Sequence, residues 1–189
     1  MQLAQFPRIA TFVDQVAGVA QGLGQSRGGR PQHASNRIGS LLAVEDILLD
    51  VVSGNKMDLL DEIGQHIESV HDMARGSVAP ALRHRERISS TALGQGVALP
   101  HARVAGLERI LPMYLRLRFP ITFDAPDESP VSDVFVLLVP KQATQEHLEI
   151  LAQVSQMLSD RSFRERLHQC RQAQEAKSLF ESWPALPST

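Results

Sequence analysis

The sequence predicts an α/β sandwich built on a mixed sheet, and three observations carry that expectation. Apolar residues recur at helical spacing over 59–70 and 148–158, and residues 113–118 and 134–139 have strand patterns. Helices and strands also interleave without a clean βαβ repeat, and no internal repeat is present. The 189 residues, 43% of them hydrophobic, suffice for one compact domain with a core and an appendage.

In chain order, Ile9, Phe12, Val13, Val16 and Val19 come first, at helical spacing. They suit either a short amphipathic helix that docks on the domain or a partner, or a poorly ordered leader. Residues 22–36, GLGQSRGGRPQHASN, have almost no large apolar side chains. Burial there is too small to offset the entropy of ordering, so the segment reads as a flexible linker.

From Arg37 the pattern becomes regular. Ile47, Leu48 and Leu49 form a short apolar run before a Ser-Gly-Asn break. Leu59, Leu60, Ile63, Ile67 and Val70 then keep a period near 3.6, with Ser53 or Asn55 placed to cap the helix. A second helix is expected from a cap at Ser77 through Leu82 to about Glu86, with Pro80 tolerated in the first turn. Met113, Leu115 and Leu117 alternate with Tyr114, Arg116 and Arg118, as in a half-buried strand. Val134–Val139 is continuously apolar, as in a strand buried on both faces. A long helix follows Thr144 with Leu148, Leu151, Val154 and Leu158 on one side, and a last helix runs from about Ser162 towards Phe180.

Composition removes several functional classes. The net charge is -2, with no basic stripe of the kind that tracks nucleic acid. No apolar run approaches the ~18 residues that span a bilayer, so no membrane insertion is expected. The lone Cys170 has no disulfide partner, and no secretory signal is read at the N-terminus; a cytoplasmic setting is expected. His66, His71, His84 and His168 lack ligand spacing, so no metal is expected. No Walker A loop or dinucleotide fingerprint appears, so no cofactor is expected and the phosphoryl donor considered below is a protein.

The chemistry concentrates in Arg85–Arg103, RERISSTALGQGVALPHAR. Val97, Ala98 and Leu99 suit a strand, which Pro100 is expected to end for want of an N–H. His101 would then sit at the strand's end in a defined orientation. Gly94 and Gly96 permit close backbone approaches. A neutral imidazole is a good nucleophile near pH 7 and takes a phosphoryl group on nitrogen. Transfer then needs mainly positioning and stabilisation of charge on the phosphoryl oxygens. Arg85 offers a guanidinium for that purpose, and His147 lies in the first turn of the long helix, where the macrodipole favours an anion.

Arg85, Glu86, Ser90, Thr91, Leu93, Gly94, Gly96, Ala98, Pro100 and His101 together resemble the signature of the mannitol/fructose-type (type 2) enzyme IIA domain of the phosphotransferase system. The resemblance runs from about Ile38 to about Phe180. Its second stretch, FDAPDESPVSDVFVLLVPKQATQEHLEILAQVSQMLSD, is especially similar to the nitrogen-regulatory branch of that family. It departs mildly at Leu99 and Ala102, where the family often has Ile and Gly.

The resemblance implies a single domain over 37–183 with a roughly five-stranded mixed sheet flanked by helices, after a 1–36 extension and before a 184–189 tail. It implies that His101 is phosphorylated by a phosphocarrier protein (HPr-like or its nitrogen-branch paralogue), with Arg85 and His147 beside it. Ser90, Thr91, Gly94 and Gly96 would support the phosphate loop, the two hydroxyls bonding either the phosphoryl group or local backbone. A hydrolase built on Ser90 or Thr91 is excluded by the missing nucleophile elbow. The expected role is phosphoryl carrier and regulator of partner proteins, such as kinases or transporters. The alternatives are a sugar-specific IIA component serving a IIB domain, and a binding module that has lost phosphorylation.

Overall fold

The computed structural model describes residues 36–142 and 145–183. The readings of the N-terminal stripe, of the linker before Asn36 and of the 184–189 tail fall outside them. The described residues form one six-stranded mixed sheet and six α-helices. In order these are α1 (Arg37–Leu41), a 3-10 turn (Val44–Asp46), β1 (Ile47–Val51), α2 (Lys56–Val70), α3 (Ala79–Ile88), β2 (Ala92–Gly94), β3 (Val97–Ala98), β4 (His101–Val104), β5 (Leu111–Ile121), β6 (Val131–Pro140), α4 (Gln145–Ser159), α5 (Arg161–Gln169) and α6 (Ala173–Ser182).

The strand order is β1-β5-β6-β3-β2, with β4 also on β6. Strands β3 and β4 run parallel to the same edge of β6, Val97–Ala98 against Asp133–Val134 and His101–Val104 against Leu137–Pro140. They are one strand interrupted at Pro100, which reconciles the five strands implied by resemblance with the six observed.

Two apolar layers cover the sheet. Leu59, Leu60, Ile63 and Ile67 of α2 and Leu82 of α3 pack on one face. Ile38 of α1, Ile150, Leu151, Val154 and Leu158 of α4, Phe163 and Leu167 of α5 and Phe180 of α6 pack on the other. Strand β6 lies between them, buried from Asp133 to Val139, as its unbroken apolar run requires.

Where the structure departs from the sequence reading, a distant polar partner is the reason. Strand β5 is buried on both faces from Leu111 to Leu117, not half-buried. The Tyr114 hydroxyl donates to the buried Asp133 carboxylate at 2.7 Å. The Arg116 guanidinium reaches the carbonyls of Leu167, His168 and Cys170 at 2.8–3.1 Å and Asp50 at 3.0 Å. Arg116 thus satisfies carbonyls left open at the end of α5, and Gln172 and Glu175 form a capping box that restarts the chain as α6. The single helix expected over 162–180 is therefore two.

Asn55 caps α2 as anticipated, accepting from the N–H groups of Met57 and Asp58. Ser77 does not cap α3, whose N-cap is Val78. Glu68 of α2 takes over, accepting from Gly76 N–H at 2.8 Å and Val78 N–H at 2.9 Å. Desolvation would raise its pKa, but the N–H groups of Val78, Gly76 and Ser77 outweigh that and hold it below the usual carboxylate value.

Helices α2 and α3 touch at Gly64. A Cβ built there would lie 2.6 Å from the Ala79 Cβ and 2.7 Å from the Ala79 backbone nitrogen. Gly64→Ala would gain about 1 kcal/mol in an open helix, but here it forces the two helices apart. We expect a net loss of about 1–3 kcal/mol, as for other overpacked cores, measured by urea unfolding. Unchanged or raised stability would contradict this close approach.

Candidate functional site

Pro100 shapes the site without ending the strand. Its carbonyl still accepts from Leu137 N–H at 2.9 Å, so only its own missing N–H is lost and the ladder resumes at His101. His101 is therefore the first residue of β4 and not the last of a terminated strand. Its neighbour Ala102 is buried, while the His101 ring is half-buried.

Both ring nitrogens have defined neighbours. Nδ1 lies 2.9 Å from the Leu99 carbonyl, an acceptor only, so Nδ1 carries the proton and donates. Nε2 then presents a lone pair, and Arg85 Nε–H donates to it at 3.2 Å. A second Arg85 nitrogen donates to the Ser89 carbonyl at 2.9 Å, bracing the guanidinium from the end of its own helix. Burial, aided by the positive charge of Arg85 and by His147, pushes the His101 pKa down to about 4, although the Leu99 carbonyl opposes the shift.

The ring is therefore neutral at physiological pH, with its tautomer set by Leu99. We expect nitrogen-detected NMR to find Nδ1–H His101 throughout pH 5–8, with protonation only near pH 4. Because the folded pKa lies below the ordinary 6.5, the unfolded chain takes up this proton first, and the contribution to stability fades as pH falls from 6.5 towards 4. A midpoint near 6.5 would contradict the described environment.

Arg85 comes from the last turn of α3, which packs on β4. His147, half-buried in the first turn of α4, bears electrostatically on His101 and lines a cleft of about 710 Å³ with Leu107, Arg109, Val139 and Lys141. Arg85 and His101 are bonded to each other, and His147 bears on that ring electrostatically from a cleft that neither of them lines.

The remaining candidates have other partners. The Ser90 hydroxyl donates to the Phe123 carbonyl at 2.8 Å, and the Thr91 hydroxyl to Glu86 Oε2 at 2.5 Å. Ser90 thus bonds backbone, accepting also from Ala92 N–H at 3.2 Å, whereas the Thr91 hydroxyl bonds a side-chain carboxylate, which is neither of the two roles expected of it. Gly94 and Gly96 have φ of 95° and 80° and form the β2–β3 turn, packed near Asp127 and Ser132. They are turn residues, not direct groups of the His101 pair.

Sequence reading placed Glu86 in the signature but gave it no role, and its carboxylate is buried. The signal was present, since Glu86 follows Leu82 by four residues and shares its inward face. Among the described residues no cluster of three or more His, Cys, Asp or Glu could hold a metal, and no helix is long and apolar enough to cross a membrane.

Comparison with known proteins agrees with the fold and motif. Residues 40–183 match the model of the family described as phosphoenolpyruvate-dependent sugar phosphotransferase system, EIIA 2. A nitrogen regulatory protein of Pseudomonas aeruginosa is 36% identical over 146 residues, covering 77% of this chain and 93% of that one. The crystal structure of nitrogen regulatory protein IIA-Ntr from Neisseria meningitidis superposes with a TM-score of 0.72 at 41% identity, over 76% of this chain and 99% of that one. A fructose-specific EIIA component of Haloferax volcanii is 30% identical over 106 residues, 56% of this chain and 69% of its own length. With three quarters of its length matched by the family model and a core of the same architecture, this chain belongs to the type 2 enzyme IIA family of the phosphoenolpyruvate-dependent sugar phosphotransferase system.

Proposed function

We propose that this protein is a regulatory phosphoryl carrier of the nitrogen branch, and that His101 accepts the group on Nε2 from the phosphohistidine of a phosphocarrier protein, HPr-like or its nitrogen-branch paralogue. The observation that carries the chemistry is the pair of bonds on one ring, Nδ1–H held by Leu99 and Nε2 facing Arg85. A neutral ring with a fixed lone pair is ready for in-line attack. The donor's N–P bond breaks as the Nε2–P bond forms, and the departing imidazole keeps the electron pair. The proton on Nδ1 stays against the Leu99 carbonyl, which disperses the positive charge that the ring gains. Arg85 turns its N–H groups to the phosphoryl oxygens, and His147 approaches them from α4.

The regulatory destination is supported by the likeness to nitrogen regulatory proteins over most of both chains. Phosphorylation adds about -1.5 to -2 charge to this surface, which changes its affinity for partner proteins. A cytoplasmic working place suits the single buried thiol, Cys170. The fructose-specific relative favours a second reading, delivery to a sugar-specific IIB domain.

The test is incubation with a labelled phosphocarrier protein. We expect one acid-labile, alkali-stable phosphoryl group per chain, and slow loss of it when candidate IIB proteins are added. Failure to gain label would overturn the carrier reading, and rapid stoichiometric transfer to a sugar-specific IIB would replace regulation with transport.

A further inference from the structure

The buried carboxylate of Glu86 has donors on every side. Thr91 gives it both its backbone N–H, at 3.1 Å from Oε2, and its hydroxyl, while Lys56 of α2 reaches Oε1 at 3.2 Å. From Thr91 the bonding continues to the reacting ring. The Thr91 carbonyl accepts from Leu99 N–H at 3.0 Å, and the Leu99 carbonyl accepts from His101 Nδ1–H. Glu86 also directly follows Arg85 in the last turn of α3, so the same carboxylate that holds Thr91 anchors the backbone from which Arg85 reaches Nε2.

We infer that Glu86 is a positioning residue of this site: its carboxylate locks the end of α3 to Thr91, and so holds Arg85 and His101 at a fixed separation. This rests on the phosphoryl-carrier reading. The physical ground is that a fully hydrogen-bonded buried carboxylate is rigid, whereas losing one partner leaves uncompensated polar groups and frees the loop. Ser90, bonded to Phe123, pins the same loop from the other side. Phosphoryl transfer depends on alignment, so slack in this loop appears in the rate before it appears in donor binding.

The experiment uses the full chain with Glu86→Gln, Thr91→Val, Arg85→Ala and the pair Glu86→Gln/Arg85→Ala. For Glu86→Gln we expect a transfer rate about tenfold lower with KM for the phosphocarrier unchanged, well within the ~10²-fold that a small misplacement of reacting groups can cause. The NMR titration midpoint of His101 should rise, as Arg85 loosens from Nε2 and water enters. In the Arg85→Ala background Glu86→Gln should slow transfer by less than it does alone, since the part of its effect that runs through Arg85 is gone and only the path through Leu99 remains. Thr91→Val keeps the backbone bond and should give a smaller change in the same direction, and it stands in should Glu86→Gln fail to fold. An unmoved His101 midpoint, or rate losses that multiply in the pair, overturns the inference. If the wild type takes no phosphoryl group, the carrier reading fails while the titration still decides the role of Glu86.

Discussion

Replacing His101 with alanine is expected to abolish phosphoryl acceptance and leave the protein folded. The variant removes the imidazole nitrogen to which Arg85 donates at 3.2 Å, and with it the nucleophile of the proposed bond-forming step. The ring donates to the Leu99 carbonyl, accepts from Arg85 and is half-buried, so its removal should lower stability by about 1–2 kcal/mol, small against a domain's typical total of about 5–15. Loss of label with an unchanged circular dichroism spectrum is the expected pair of results. Labelling of His101→Ala at the wild-type rate would move the phosphorylated site elsewhere. Arg85→Ala should be less severe, slowing transfer by about 10²–10³, the usual range for deleting one group that stabilises developing charge.

The largest effect on stability is expected at Phe180, which is fully buried near the end of α6. Its ring lies 5.2 Å from Tyr114, 5.7 Å from Phe135 and 5.4 Å from Phe163, so it joins β5, β6 and α5 in one aromatic cluster. Phe180→Ala should lower stability by about 3–5 kcal/mol, from lost burial and the cavity left behind. That is about a fifth or more of a typical domain's stability. Urea unfolding should show a lower midpoint with an unchanged slope. A loss under about 1 kcal/mol would mean that the terminal helix does not close this core. Detachment of α6 would also release Asn36, whose side-chain amide donates to the carbonyls of Phe180, Glu181 and Trp183.

Much of the architecture was legible because it depends on near neighbours. The cap at Asn55, the stripe of α2 and the apolar run of β6 are all fixed by residues within a few positions. The reactive stretch was legible for another reason, its fixed spacing of Arg, Gly, Pro and His, although that spacing did not say which ring nitrogen faces Arg85. The misread features share a different cause. Glu68 supplants Ser77 from the preceding helix, and Arg116 ends α5 from a strand 51 residues before Leu167. Periodicity does not register such bonds.

By itself, then, the sequence determined an α/β sandwich, the helical and strand segments that surround its core, and a histidine after a rigid proline as the candidate nucleophile. Only the tertiary structure decided that Pro100 interrupts one strand without ending it, that Nε2 is the ring nitrogen facing Arg85, and that Glu86 points inward to Thr91. The physical reason is the range of the interactions. Helix periods and caps are settled within a turn or two of chain. A tautomer or a buried carboxylate is settled by whichever donor or acceptor the fold brings within 3 Å, often from dozens of residues away.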